Sequence, residues 1–437
     1  MPRLVHAPAP AAVLTALLAA VLGLSASGCS GGDAPGSGSP AASGPAAGAP
    51  AAVAVTTVSE VSVDEPLRVG VVVTLRSEPG QGQDLVGAAE GATVAAYRLG
   101  LGGGRVELEV VDDQGTAEGA GAAVEQLLDA EVAGIVAATR GDHLDAAVEA
   151  ATAAGTAVLL PYDRDGELPA GAFATGPAAA DVDRVLLEAM AGDGLSRPFV
   201  LTADDVQVDV GSADAATIGA DVDDVAARVA SAHDAGRVDS VVVAAAASTQ
   251  ARIVAALQGV APAVPVVLTP EALSPAFAAG LDEASGTTAG AYLSAGTDAG
   301  DATSLAQGTR AEAVSAFFAA LRLAAGDDAS TDLFGDAAFA EVAADADTAS
   351  HDAVLSIAAA ARAAGSVEAG DVLSALSGLQ AGPAEGLAGP GLDFGGERAL
   401  PAADVVALRA TGQDPGARPV TAGAGPRLYW FADDTTG

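Results

Sequence analysis

Short apolar runs alternate with longer stretches of helical period from Leu67 to Asp163. Arg68-Val-Gly-Val-Val-Val73 reads as a buried strand and 84–99 as a helix. Arg105 to Val111 alternates apolar and polar and closes on Asp112-Asp113-Gln114-Gly115, which predicts a strand and a turn. Helices over 116–130 and 142–154 then alternate with strands over 134–138 and 157–160. Strands separated by helical runs of roughly 12–15 residues predict βαβ units and a parallel sheet. Asp84 and Thr116 are placed as helix N-caps, and Gly155 as a helix stop.

The pattern resumes after an irregular stretch that reaches Pro177. Helices are predicted over 178–193, 222–235, 248–257, 309–325, 348–364 and 369–379, and strands over 198–202, 239–245, 264–268 and 286–293. The polar, Gly-containing residues after 203–205 offer no good helix. Gly391 to Phe394 and Asp404 to Ala410 read as a terminal hairpin, with one more strand over 426–431. No repeat of 20–50 residues is present. The fold class is α/β: two doubly wound parallel-sheet lobes with a hinge. The division expected is 66–172 plus 295–380 for the first lobe and 173–294 plus 381–430 for the second.

The 437 residues suffice for two substantial cores. Only 3% are aromatic, so those cores are built from Ala, Val and Leu. All 19 basic residues are Arg, and neither Lys nor Asn occurs, which matches a GC-biased coding sequence. The formal charge of −38 sets the chain against nucleic acid as a partner. Such acidity also fits a saline habitat.

Residues 1–28 read as an export signal: a basic start at Arg3, then an apolar run from Ala11 to Leu24, too short for a comfortable membrane span. The run ends in Ala26-Ser27-Gly28-Cys29, which resembles a bacterial lipobox, and Cys29 is the single cysteine. That resemblance implies cleavage before Cys29, lipid on its sulfur, and a protein held on the extracytoplasmic face of the cell membrane. The alternative is an ordinary signal peptide with an incidental cysteine. Residues 29–60 form a Gly/Ala/Pro/Ser tether; as a coil, 25–30 such residues reach roughly 30 Å.

Enzyme chemistry has no constellation here. Ser350-His351-Asp352 are consecutive on a helix, point about 100° apart and are not expected to bond in series. The histidines are scattered, with no cysteine beside them, so no metal site or other cofactor is implied. Acidic pairs such as Asp112-Asp113 and Asp223-Asp224 read as solvated turns and helix starts.

Arg68-Val-Gly-Val-Val-Val, Gly87-Ala-Ala, Glu107-Leu-Glu-Val-Val-Asp-Asp-Gln-Gly115, Ala157-Val-Leu-Leu-Pro161 and Ser350-His-Asp-Ala353 together resemble the type I periplasmic-binding-protein fold. The nearest group is the leucine/isoleucine/valine-binding substrate-binding proteins of ABC transporters, and the likeness spans about 67–412. It implies a monomeric, non-enzymatic, lipid-anchored protein that delivers an amino acid or related small polar or zwitterionic solute to an ABC permease complex. A degenerate relative acting as a sensor or protein-interaction module is the alternative.

Open parallel sheets bind ligands beyond the carboxyl ends of their strands. The candidate ligand residues are therefore Arg76, Thr139, Arg140, Gly141, Asp142, Tyr162, Asp163, Arg164 and Glu271. By resemblance, Gly141 stands where the family has a carboxylate-binding Ser, Arg164 where it has a Thr, and Glu271 where an acid meets the ligand ammonium. Arg140 and Arg164 either fork a ligand anion or, in Arg164's case, pair with Asp142 or Asp163. The family's helix after the first strand of the second lobe is missing from the pattern.

Overall fold

The computed structural model describes residues 65–163, 166–204, 206–219, 221–420, 425 and 427–432. Cys29, its signal and tether, and Arg164 lie outside the described residues.

The first sheet is built from β1 (Leu67–Val73), β2 (Val106–Asp112), β3 (Gly134–Ala137), β4 (Val158–Leu160) and β5 (Ala172–Ala174). All pairs are parallel, in the order β2-β1-β3-β4-β5. Its connections carry α1 (Val86–Ala89), α2 (Gly91–Leu101), α3 (Ala117–Asp129) and α4 (Asp145–Ala153). The alternation of a strand explains why β1 is apolar almost throughout. Leu67, Val69, Val71 and Val73 enter one core cluster with Leu99 and Ile357, while Val72 enters another with Leu127 and Val148. Thr116 caps α3 by accepting from the Gly119 N–H at 3.0 Å, as its sequence position predicts.

The second lobe opens with α5 (Ala179–Gly192), followed by β6 (Pro198–Thr202), β7 (Asp214–Thr217), α6 (Val222–Asp234), β8 (Ser240–Ala244), α7 (Ala247–Val260), β9 (Val266–Leu268), α8 (Pro275–Glu283) and β10 (Tyr292–Gly296). The chain then returns to the first lobe as α9 (Thr309–Ala325), α10 (Thr348–Ala364) and α11 (Ala369–Leu376). The two-stranded pair β11 (Gln380–Ala381) and β12 (Leu392–Asp393) follows. Last come β13 (Val406–Thr411) and β14 (Tyr429–Ala432). The second sheet has the order β14-β13-β10-β9-β8-β6-β7, parallel except where β13 meets β10 and β14.

Several expectations need correction. Gly391–Phe394 and Asp404–Ala410 do not form a hairpin: β12 pairs with β11, and β13 with β10 and β14. The strands β5 and β7 and the helix α8 were not anticipated. The link between β6 and β7 crosses with no helix among its described residues, as the pattern predicts. Asp113 is not solvated. It is fully buried and accepts from Thr74 Oγ1 at 2.6 Å and the Gly115 N–H at 2.9 Å, with His143 Nε2 at 2.8 Å.

His351 and Asp352 are bonded, contrary to the helical-wheel argument: His351 Nδ1 lies 2.6 Å from Asp352 Oδ1. Arg98, itself buried, reaches His351 Nε2 at 3.1 Å and the Gly386 carbonyl at 2.7 Å. A guanidinium only donates, so Nε2 accepts and Nδ1–H donates to Asp352. Burial holds His351 below its ordinary pKa. Ser350 takes no part in that chain; it bonds the Ala88 carbonyl and Asp347. The group fastens α10 to α2 and to the 386–389 loop.

Candidate ligand site

The carboxyl ends of both sheets face a common cavity of about 190 Å³. Gly80, Arg140, Pro161 and Tyr162 line it from the loops of the first lobe; Ala247 and the 270–273 turn line it from the second. The lobes touch across this space. Arg140, after β3, holds Glu271, after β9, at 2.5 Å. Ser274 Oγ donates to the Asp84 carbonyl at 2.5 Å. The Asp84 carboxylate faces the backbone N–H groups of Ala247 and Ser248, which open α7. The sequence position of Asp84 predicts a cap for its own helix; it serves the helix of the opposite lobe instead. Burial raises its pKa, opposed by those N–H groups and by Arg140.

At the other end of the cavity Tyr162 donates to Asp347 Oδ2 at 2.9 Å. Burial and the adjacent Asp347 push the Tyr162 phenol well above its usual value, so it is a donor at neutral pH. Asp347 is the N-cap of α10, accepting from the Ser350 N–H at 2.9 Å. Burial raises its pKa, partly offset by Ser350, Tyr162 and Arg418.

The C-terminal segment supplies residues that no local sequence signal marks. Between β13 and β14 it lays Ala417 against Phe317 and Phe318 of α9. Arg418 then grips Asp301 through two nitrogens, at 2.8 and 3.0 Å, and the carbonyls of Ala344 and Ala346 at 2.9 and 2.7 Å. Burial works against its charge, and Asp301, Asp347 and Asp345 overcome it, raising its pKa. Arg427 binds Asp345 and the Ala344 carbonyl. Trp430, 4% exposed, closes the wall with Tyr429.

The predicted site residues are distributed as follows. Arg140, Tyr162 and Glu271 line the cavity together. Thr139 is fully buried behind it, with its hydroxyl 2.5 Å from that of Thr74. Gly141 has φ +130°, and a Cβ there would crowd the side chains of Gln81 and His143, so a Ser at this position would be strained. Asp142 opens a short 3₁₀ turn, Asp163 follows Tyr162 outside the lining, and Arg76 is exposed. Arg418, Arg427, Trp430, Asp84 and Asp347 were not foreseen, because each comes from a segment distant in sequence.

No protein-family model matches the chain, and no curated protein matches it either. Solved structures do. A substrate-binding protein of an ABC transporter from Sphaerobacter thermophilus superposes with TM-score 0.58 at 22% identity, over 85% of this chain and 97% of that one. The branched-chain amino acid transporter substrate-binding protein LivJ from Streptococcus pneumoniae, solved with isoleucine, gives TM-score 0.59 at 16% identity, over 84% and 100%. The chain has the type I periplasmic-binding-protein fold. A third protein of that fold, a solute-binding protein from R. palustris solved with 4-hydroxybenzoate, matches with TM-score 0.58 at 13% identity, over 85% and 99%. These neighbours are binding proteins of transport systems. Among the described residues no helix is long and apolar enough to cross a membrane, and no group of side chains is arranged to hold a metal ion.

Proposed function

We propose that this protein is an extracytoplasmic solute-binding protein, lipid-anchored through Cys29, that delivers an amino acid or a related small polar solute to an ABC permease. The observation that carries the reading is the cavity between the strand ends of two α/β lobes, lined by charged groups of both signs from each side. An open parallel sheet offers ligands this position. The volume of about 190 Å³ exceeds the ~150 Å³ that accepts benzene, and so suits a solute of amino-acid size. Arg140, Glu271 and Tyr162 are the proposed ligand contacts. Solved neighbours that carry isoleucine or 4-hydroxybenzoate support small-solute binding.

Thermal-shift screening over amino acids, amides and small carboxylates is the direct test. A ligand at 100 times its Kd adds about 2.7 kcal/mol of stability, a shift that is easily read. No stabilisation by any solute at millimolar concentration would defeat the reading. For the anchor, Cys29→Ala is expected to abolish labelling by radioactive palmitate and to release the protein from membranes; retention on the membrane would count against it.

One observation favours a second reading. Arg140 and Glu271 spend their charges on each other. A degenerate relative, working as a sensor or protein-interaction module, would use such a pair to keep its lobes shut. Failure of the solute screen together with capture of a partner protein would select it.

A further inference from the structure

The cavity's charges are unequal. Five carboxylates line it, those of Asp84, Glu271, Asp301, Asp345 and Asp347, against the guanidinium groups of Arg140, Arg418 and Arg427. That is a formal excess of two negative charges among the described residues. Each arginine is already engaged: Arg140 with Glu271, Arg418 with Asp301, and Arg427 with Asp345. A ligand carboxylate entering here meets no uncommitted cation among them and several anions.

The imbalance is sharpest near Asp84. The N–H groups of Ala247 and Ser248 face its carboxylate, and its Oδ2 is still buried without a hydrogen-bond partner. Arg140, the one cation beside it among the described residues, is in the grip of Glu271, and Asp204 adds a further negative charge. A buried acceptor without a donor costs free energy that an incoming N–H can recover. Ser274, Thr297 and Thr348 aside, the remaining wall is largely apolar and aromatic, with Leu273, Pro275, Ala278, Leu428 and Trp430. Such a wall suits a hydrocarbon body, and an indole face tolerates a cation beside it.

Resting on the solute-binding reading above, we propose that the ligand is a small organic cation lacking a carboxylate: an amine or amidine of amino-acid size. Its N–H groups meet Asp84, and its apolar body lies against Leu273 and Trp430. Within the amino-acid-like class the site thus selects the carboxylate-free member.

Four compounds that share one branched skeleton test this by calorimetry on the full chain. They are 3-methylbutylamine (cation), leucine (zwitterion), 4-methylpentanamide (neutral) and 4-methylpentanoate (anion). The amine is expected to bind at least tenfold more tightly than leucine, and the anion not at all. Asp84→Asn, folded as judged by its circular dichroism, is expected to weaken the amine at least tenfold and leave the amide unchanged. Leucine or 4-methylpentanoate binding as tightly as the amine would overturn the proposal while upholding solute binding. Absence of binding by all four would overturn it too, and the wider solute screen then judges solute binding separately. The wild-type series decides the matter even if the variant fails to fold.

Discussion

Arg140 and Glu271 meet at 2.5 Å across the cleft, with side-chain exposures of 17% and 3%. A charge that is nearly out of water is costly to leave alone, whereas a hydrophobic pair of similar volume can be neutral. Glu271→Ala is therefore expected to destabilise the protein by about 3 kcal/mol, near the low end for a buried pair because Asp84 stays beside Arg140. The double variant Arg140→Met with Glu271→Leu should lie within about 1 kcal/mol of wild type. Urea unfolding of the single and double variants measures both, and single variants as stable as wild type would show that the pair contributes nothing.

Glu90 gives a pH signature. It is buried between α1 and α2, accepts from the Leu333 N–H at 3.1 Å and the Thr93 hydroxyl at 2.9 Å, and burial lifts its pKa from 4.5 to about 7. The folded protein thus holds this proton more tightly than the unfolded chain. Stability from this group is present below pH 4.5, falls as pH rises from 4.5 to about 7, and stays lost above. At 1.36 kcal/mol per pKa unit the full loss is roughly 3 kcal/mol as an upper bound. Glu90→Gln should flatten the stability profile across that window. Parallel pH profiles for variant and wild type would remove the assignment.

Gly91 starts α2 against the first turn of α10. A Cβ there would overlap the Asp347 carbonyl and approach Ser350 Oγ to 2.5 Å and the His351 nitrogen to 3.0 Å. Two of these are backbone atoms that cannot swing away. Gly91→Ala should cost about 1–3 kcal/mol despite its better helix propensity. Chemical denaturation would settle the sign; a stabilised variant would mean that α10 shifts freely.

Trp430 is the only tryptophan, and it lines the cavity. Fluorescence excited selectively in the indole band, beyond the absorption of the four tyrosines, therefore reports on the ligand site. A saturable change in its emission is expected with any solute that stabilises the protein. Stabilisation with no emission change would place the ligand elsewhere.

Residues of strong local pattern were readable from the sequence alone. The two helices at 309–325 and 348–364 are observed over the predicted spans because they carry long apolar periods with good helix formers. The strand β5 is three residues long and β7 is Asp-Ala-Ala-Thr, so neither shows the β-branched signal of a strand. The helix α8 did have a signal: Ser274 caps it and Pro275 opens it. In the site, Tyr162 and Glu271 were reachable because they follow strand ends. Arg418 and Arg427 were not, because nothing local to 412–428 marks a return to α9. Asp84 looks like a cap by position, and only the tertiary fold reveals whose cap it is.

That return has a kinetic consequence. Besides the links after β5, β10 and β12, the chain leaves the second sheet at Thr411, fastens Ala417 and Arg418 to the first lobe, and rejoins the sheet at Tyr429. The cleft therefore cannot gape by bending its connections alone; Arg418 must first let go of Asp301 and two carbonyls. Ligand exchange is expected to be slow and gated by this release, with Arg418→Ala speeding dissociation in stopped-flow recordings of Trp430 more than it weakens binding at equilibrium.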